Sequence, residues 1–322
     1  MAVTLADAQA LSQDKLTDAV IDEFRKSPLL DALQFDNTVK PQGGRSLSYV
    51  YNRVTTQPTA AGRVINAEYT SQEAKTTQYT TNLIPLGGSY QIDRVIAKDE
   101  TQVVNEVEFQ STQKAKAAIA LFNDLFINGD AGTAGQFDGI DQAIAAGTTV
   151  DAASLLLDNA ADVKTNYGDF LYALRQLVSK MDGEPTHLLM NGSLFAAFQS
   201  IADYVPNITF ERNALGQQIV RYGNAVLVPM GDKAGTSNPI IATSTPSTSV
   251  TGNTTLYAVR LGLDGVHGVS PDGSKVVENY LPDFTTPGAV KTGEVEMVTA
   301  AVVKASKAVG KITNLALLPK TA

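Results

Sequence analysis

Residues 99–140 read DETQVVNEVEFQSTQKAKAAIALFNDLFINGDAGTAGQFDGI and carry the most regular pattern in the chain. Asp99 followed by Gln102 has the spacing of a capping box. Val103, Val107, Ala115, Ala118, Phe122 and Phe126 then mark one face of a helix, with Val104, Ile119 and Leu125 beside it. Gly129 supplies the stop. The spacing predicts a helix over 99–128, about 40 Å long. The glycine-rich run that follows reads as a turn. A phosphate loop would follow a strand and open a helix, whereas this one follows a helix.

Before this helix the pattern changes period. Leu47, Tyr49 and Tyr51 alternate with Ser48, Val50 and Asn52, which predicts a strand. Further extended runs are expected at 75–84 (KTTQYTTNLI) and 89–96 (SYQIDRVI). The stretch between the first two runs has few large apolar residues. Two Thr-rich strands with polar faces build no core alone, so a long two-stranded projection is the simplest reading. Residues 1–40 read as an arm. Leu16, Val20 and Phe24, flanked by Ile21, form an apolar stripe after Ser12, and Ser27–Pro28 is expected to stop that helix. The stripe needs a partner surface, either its own domain or a neighbouring subunit.

After the long helix, residues 150–292 read as a separate α/β unit. A helix is expected at 167–182, with Phe170, Leu174, Leu177, Val178 and Met181 on one face. The strand HLLM (187–190) and a helix at 192–201 follow. Further strands are expected at 225–230, 239–243 and 254–261, and His267 is placed in a loop between glycines. Residues 293–303 and 307–318 close the chain as two strands.

Composition excludes several chemistries. The 322 residues hold 25 basic and 33 acidic side chains, and the net charge of −8 argues against a protein built to grip phosphate backbones. Cysteine is absent, which removes disulfides, thiolate metal sites and a Cys nucleophile. Only two histidines exist, His187 and His267, so a multi-His metal site is nearly excluded. Asp124, Asp130, Asp138 and Asp141 match no defined cation loop and read as turn residues. No nucleophile elbow, Walker loop, zinc-protease or EF-hand motif is present. No apolar run is long enough to span a bilayer, and MAVTLADAQA lacks the basic start of a signal peptide, so the cytosol is the expected starting compartment.

The chemistry search is empty while the architecture is mostly reach. In that order of segments the chain resembles the major capsid proteins of tailed bacteriophages, with the α+β Hong Kong 97-type fold. The resemblance rests on LFNDLFINGDAGTAGQFDGI ending in Gly139–Ile140, on the helix–strand–helix segment through Met190–Asn191, on LYAVRLGLDGVHGVS and on the closing strands VEMVTAAVVKASKAVGKITNL. It implies an N-terminal arm (1–40), an extended loop (41–90), a peripheral domain with the spine helix (91–150), an axial domain (151–290) and a return to the peripheral domain (291–322). It further implies a virion subunit without catalytic, metal or cofactor residues, assembled in the host cytoplasm into hexamers and pentamers of an icosahedral head. Portal and scaffolding proteins, a decoration protein and enclosed double-stranded DNA, held without sequence-specific binding, are the implied partners. The residues expected at subunit contacts are Leu16, Val20, Phe24, Arg63, Glu68 and Tyr69. Some relatives cross-link through a loop lysine. Here the tip carries Arg63, and the nearest lysine is Lys75 on the return strand, which points to a non-covalent shell. Two other readings remain at this level: an encapsulin-type shell around cargo enzymes, and a hydrolase using His187 or His267 with an unrecognised serine.

Overall fold

The computed structural model describes residues 28–39, 44–94, 97, 106–212, 218–273 and 276–321. The expected arm helix with Leu16, Val20 and Phe24, and the capping box at Asp99, lie outside the described residues.

The first described element is a short helix, α1 (Pro28–Ala32). Pro28 therefore opens a helix, as its fixed φ and missing N–H allow at a first position. Leu29, Leu30 and Leu33 are buried in the protein's own core. Next come β1 (Phe35–Asn37), β2 (Ser48–Thr56), β3 (Lys75–Asn82) and β4 (Ile84–Asp93). The third expected strand thus starts five residues earlier than its apolar pattern suggested, with Leu83 alone separating it from β3.

The long helix is present as α2 (Glu106–Asn128). Its buried stripe is Ser111, Ala115, Ala118, Ile119, Phe122, Leu125 and Phe126. Ser111 is the polar member, and its hydroxyl accepts from Asn279 Nδ2 at 2.8 Å. At the exit, Gly129 N donates to Leu125 O at 2.9 Å and Gly139 N to Gly129 O at 2.9 Å. A Cβ on Gly129 would sit 2.2 Å from Phe137 O, so two stretches of backbone meet at a distance only glycine permits. The turn returns the chain under the helix, where Phe137 and Phe122 pack with ring centroids 6.0 Å apart, and leads into α3 (Ile140–Ala143).

Then follow β5 (Thr149–Leu156), α4 (Ala160–Lys180), β6 (His187–Met190), α5 (Gly192–Ile201), β7 (Ile208–Arg212), β8 (Gln218–Tyr222), β9 (Ala225–Pro229), β10 (Gly252–Val259), β11 (Val266–Ser270), β12 (Glu278–Tyr280), β13 (Val290–Val303) and β14 (Val309–Leu318). α4 starts earlier than expected because Asn159 caps it, accepting from the N–H groups of Ala161 and Asp162.

Two larger sheets organise the fold. A seven-stranded sheet has the order β5-β14-β10-β6-β9-β8-β7. α4 and α5 supply side chains to a core on one face, where Phe170 meets Phe198 edge-on at 5.2 Å. A five-stranded sheet is built on β13, with β1 and β11 along one end, β12 beside it and β4 on its other edge. β4 pairs with β13 from Asp93↔Val290 to Ile84↔Thr299.

Four expectations need correction. The C-terminal strand does not join β13 in the five-stranded sheet, as a return to the peripheral domain would require: β14 sits between β5 and β10 in the seven-stranded one. It is apolar on both faces, with Val309, Ile312, Leu315, Ala316 and Leu317 buried, and such a strand belongs inside a sheet covered on both sides. Segment 239–243 is irregular rather than a strand, although Ile240 and Ile241 are buried. His267 is on β11, fully buried, not in a loop. The glycine beside it, Gly268, makes room for a ring: a Cβ there would lie 2.5 Å from the Phe35 side chain. With β11 and β12 in the five-stranded sheet, residues beyond Val259 already contribute to it, well before the expected boundary at 290.

Candidate assembly interface

β2 and β3 form a separate two-stranded ladder, from Ser48↔Asn82 through Tyr51↔Tyr79 to Thr56↔Lys75. A two-stranded hairpin is marginal alone, so its anchorage to the body matters. Tyr49, Tyr51 and Arg53 recur every second residue on one face and are half-buried, while Val50 and Val54 point outward. Tyr49 donates from its hydroxyl to Asp36 Oδ2 at 2.7 Å. Burial, and then that carboxylate, push the Tyr49 phenol above its ordinary value. Tyr51 donates to Val303 O at 3.1 Å. Arg53 donates from Nε to Lys304 O at 2.9 Å and from Nη2 to Val303 O at 2.8 Å. Its guanidinium also lies 4.5 Å from the Tyr79 ring centroid. The alternation at 47, 49 and 51 pointed to this face, but Leu47 is itself exposed and Arg53 was missed. The readable signal was Arg53 continuing the two-residue period.

Beyond the ladder, residues 57–74 are exposed throughout. Thr59 N and Oγ1 donate to Gln72 Oε1 at 2.8 and 2.6 Å and tie the two limbs together. The tip turns at Asn66, whose φ of 71° suits Asn better than most residues, with Ala67 N donating to Val64 O at 3.1 Å. Arg63 donates to Ala67 O at 3.2 Å and stacks 5.5 Å from the Tyr69 ring centroid. The structure thus brings Arg63 and Tyr69 together and places Glu68 beside them, exposed. Val64 is 78% exposed and Ile65 86%. Lys75 opens β3 at the outer end of the ladder, opposite Thr56.

The groups weighed for chemistry are engaged within the subunit. Asp141 accepts from Tyr257 Oη at 2.9 Å and Lys311 Nζ at 2.6 Å, joining the helix-exit turn to the seven-stranded sheet. Asp124 pairs with Lys233 at 3.1 Å. Asp130 and Asp138 accept backbone N–H groups of their own turn. Among the described residues no three His, Asp or Glu side chains converge as metal ligands would. His187 shares a 2.9 Å hydrogen bond with Thr186 Oγ1, and burial lowers its pKa to about 4. His267 packs edge-on to Tyr49 at 5.6 Å, and burial lowers it to about 4 as well. No helix of the described residues is long and apolar enough to cross a membrane.

No family model and no curated protein matches the sequence. Solved structures do match the fold. The holo-encapsulin complex from Synechococcus elongatus aligns with a TM-score of 0.57 at 13% identity, covering 91% of this chain and 89% of that one. The capsid of a native GTA particle aligns with a TM-score of 0.57 at 14% identity, covering 89% and 90%. A structure from Mycobacterium phage Bobi gives 0.55 at 14% identity, covering 92% and 91%. Spine helix, extended hairpin and two sheets, matched over nine-tenths of each chain, give this protein the Hong Kong 97-type fold that capsid and encapsulin subunits share.

Proposed function

We propose that this chain is the major capsid protein of a tailed double-stranded DNA phage, a non-catalytic virion subunit. It self-assembles as hexamers and pentamers into an icosahedral head in the host cytoplasm. The observation that carries the reading is the hairpin tip. The subunit closes its own cores, yet sends residues 57–74 out with Val64, Ile65 and Tyr69 largely exposed. Exposed apolar side chains at the end of a reaching element fit a site that is buried in an assembly. Arg63, Glu68 and Tyr69 are its contact residues, with Leu16, Val20 and Phe24 of the arm as a second contact. Portal, scaffolding and decoration proteins are further partners of this reading.

The encapsulin alternative is favoured by one observation: the encapsulin and the GTA capsid match equally well. Electron microscopy of the purified protein tests both. Closed shells are expected from the wild type. Deleting 57–74 is expected to leave a folded subunit that forms none. Shells that package DNA from a phage-producing host support the capsid reading; shells purified with a bound enzyme support the encapsulin one. Normal shells from the deletion would overturn the assignment of the hairpin.

A further inference from the structure

The hairpin is a lever, and what fixes its direction is at its base. Val303 is the last residue of β13, and Lys304 N donates to Gly265 O at 2.9 Å, so the backbone corner at 303–304 is pinned on the body side. The two carbonyls of this corner accept from one guanidinium, that of Arg53. The planar fork of an arginine suits two acceptors at once, and a lysine ammonium lacks that geometry. Tyr79 from the opposite strand stacks on the same guanidinium, so both strands of the ladder are gripped at one point. From Arg53 to Val64 an extended chain reaches up to about 35 Å, so a base rotation of roughly 10° moves the tip by about 6 Å.

We infer that Arg53 is a positioning residue for assembly, locking the hairpin at the angle from which its tip meets a second copy of this chain. The inference rests on the reading of the hairpin as the assembly element. It predicts that loss of the Arg53 fork widens the range of hairpin angles, with Tyr49 and Tyr51 still tethering its base, and leaves the subunit folded, because Arg53 contributes to neither hydrophobic core.

The absence of cysteine allows two clean spin labels, at Ala74→Cys on the hairpin and Ala134→Cys in the helix-exit turn, both exposed. Pulsed dipolar spectroscopy is run on the monomeric fraction of the full chain. A single narrow distance peak is expected for the otherwise wild-type protein. Arg53→Met keeps the aliphatic stem and is expected to lose that peak to a broad distribution, with the thermal midpoint and far-UV spectrum retained. Arg53→Lys is expected to broaden it less, and it serves as the readout should Arg53→Met not fold. A narrow wild-type peak kept in both variants overturns the inference, even where shell yield falls. Failure of the unlabelled wild type to form shells overturns the assembly reading instead, while the monomer distances still decide the role of Arg53.

Discussion

His267 shows how much one buried side chain can report. It is fully buried, and neither ring nitrogen has a hydrogen-bond partner among the described residues. The groups facing it are the Tyr49 ring, the Lys304 ammonium and the Asp36 carboxylate. Burial is the largest effect and Lys304 adds to it, both favouring the neutral ring, while Asp36 opposes them. The folded value is near 4, against an ordinary value near 6.5. The folded state therefore resists a proton that the unfolded chain takes up. The stability this confers is fully present above about pH 6.5 and is lost as pH falls through 4, by an upper bound of ~3 kcal/mol. Urea unfolding between pH 7 and 4 should show that loss together with one from His187, which burial lowers likewise, and His267→Phe should flatten the slope in part. An unchanged slope would mean that other groups carry the acid response. Asn191 is the second residue to test. Its Oδ1 caps α5 by accepting from Leu194 N at 2.9 Å, and its Nδ2 donates to the hydroxyls of Thr243 and Thr254. Asn191→Ala removes a cap and buried hydrogen bonds together, so a loss of about 2–3 kcal/mol is expected by denaturant titration.

At the scale of elements the spine helix makes the sharpest comparison. Phe122 is fully buried and touches the rings of Phe35, Phe126 and Phe137. Phe122→Ala should cost about 3–5 kcal/mol in thermal or urea unfolding. Gln113→Ala on the exposed side should stay within about 0.5 kcal/mol. Equal effects would invalidate the face assignment. This helix was legible because its apolar spacing follows 3.6 residues over many turns and its exit is marked by glycine. The hairpin was legible for the opposite reason: alternating Thr-rich runs around a segment with too little apolar surface to pack. The misreadings share a cause. The resemblance placed β14 with β13 in the peripheral domain, but which sheet a strand joins depends on what covers its faces, and that is a tertiary fact. Segment 239–243 carries two buried isoleucines without pairing as a strand, so apolarity alone misled. Gly268 suggested a loop, whereas it yields space to a ring more than two hundred residues away in sequence. The contact candidates at the tip were readable as exposed, but the grip of Arg53 was not. Its acceptors are backbone carbonyls at 303 and 304, and carbonyl positions leave no mark in the side-chain pattern.

At the scale of the whole molecule the proposed capsid function raises the question of how its shells would hold together. A covalent isopeptide needs a lysine amine, desolvated beside an Asn or Asp carbonyl, with a carboxylate to take the proton. The hairpin tip offers Arg63, a guanidinium rather than an amine, and it is already folded onto Ala67 O and Tyr69. Lys75 is the only lysine on the hairpin, and it is exposed at the edge of the ladder, where a lysine keeps a strand edge from pairing wrongly. Neither supplies a desolvated amine at the reaching end. The shell is therefore expected to be non-covalent, held by many contacts that are weak singly and strong together. Boiling purified shells in detergent and running a denaturing gel checks this. A single band near 34.1 kDa is the expected result. A ladder of multimers that disappears in Lys75→Ala would refute it, because Lys75 would then reach a neighbour's carbonyl despite its place at the ladder's edge.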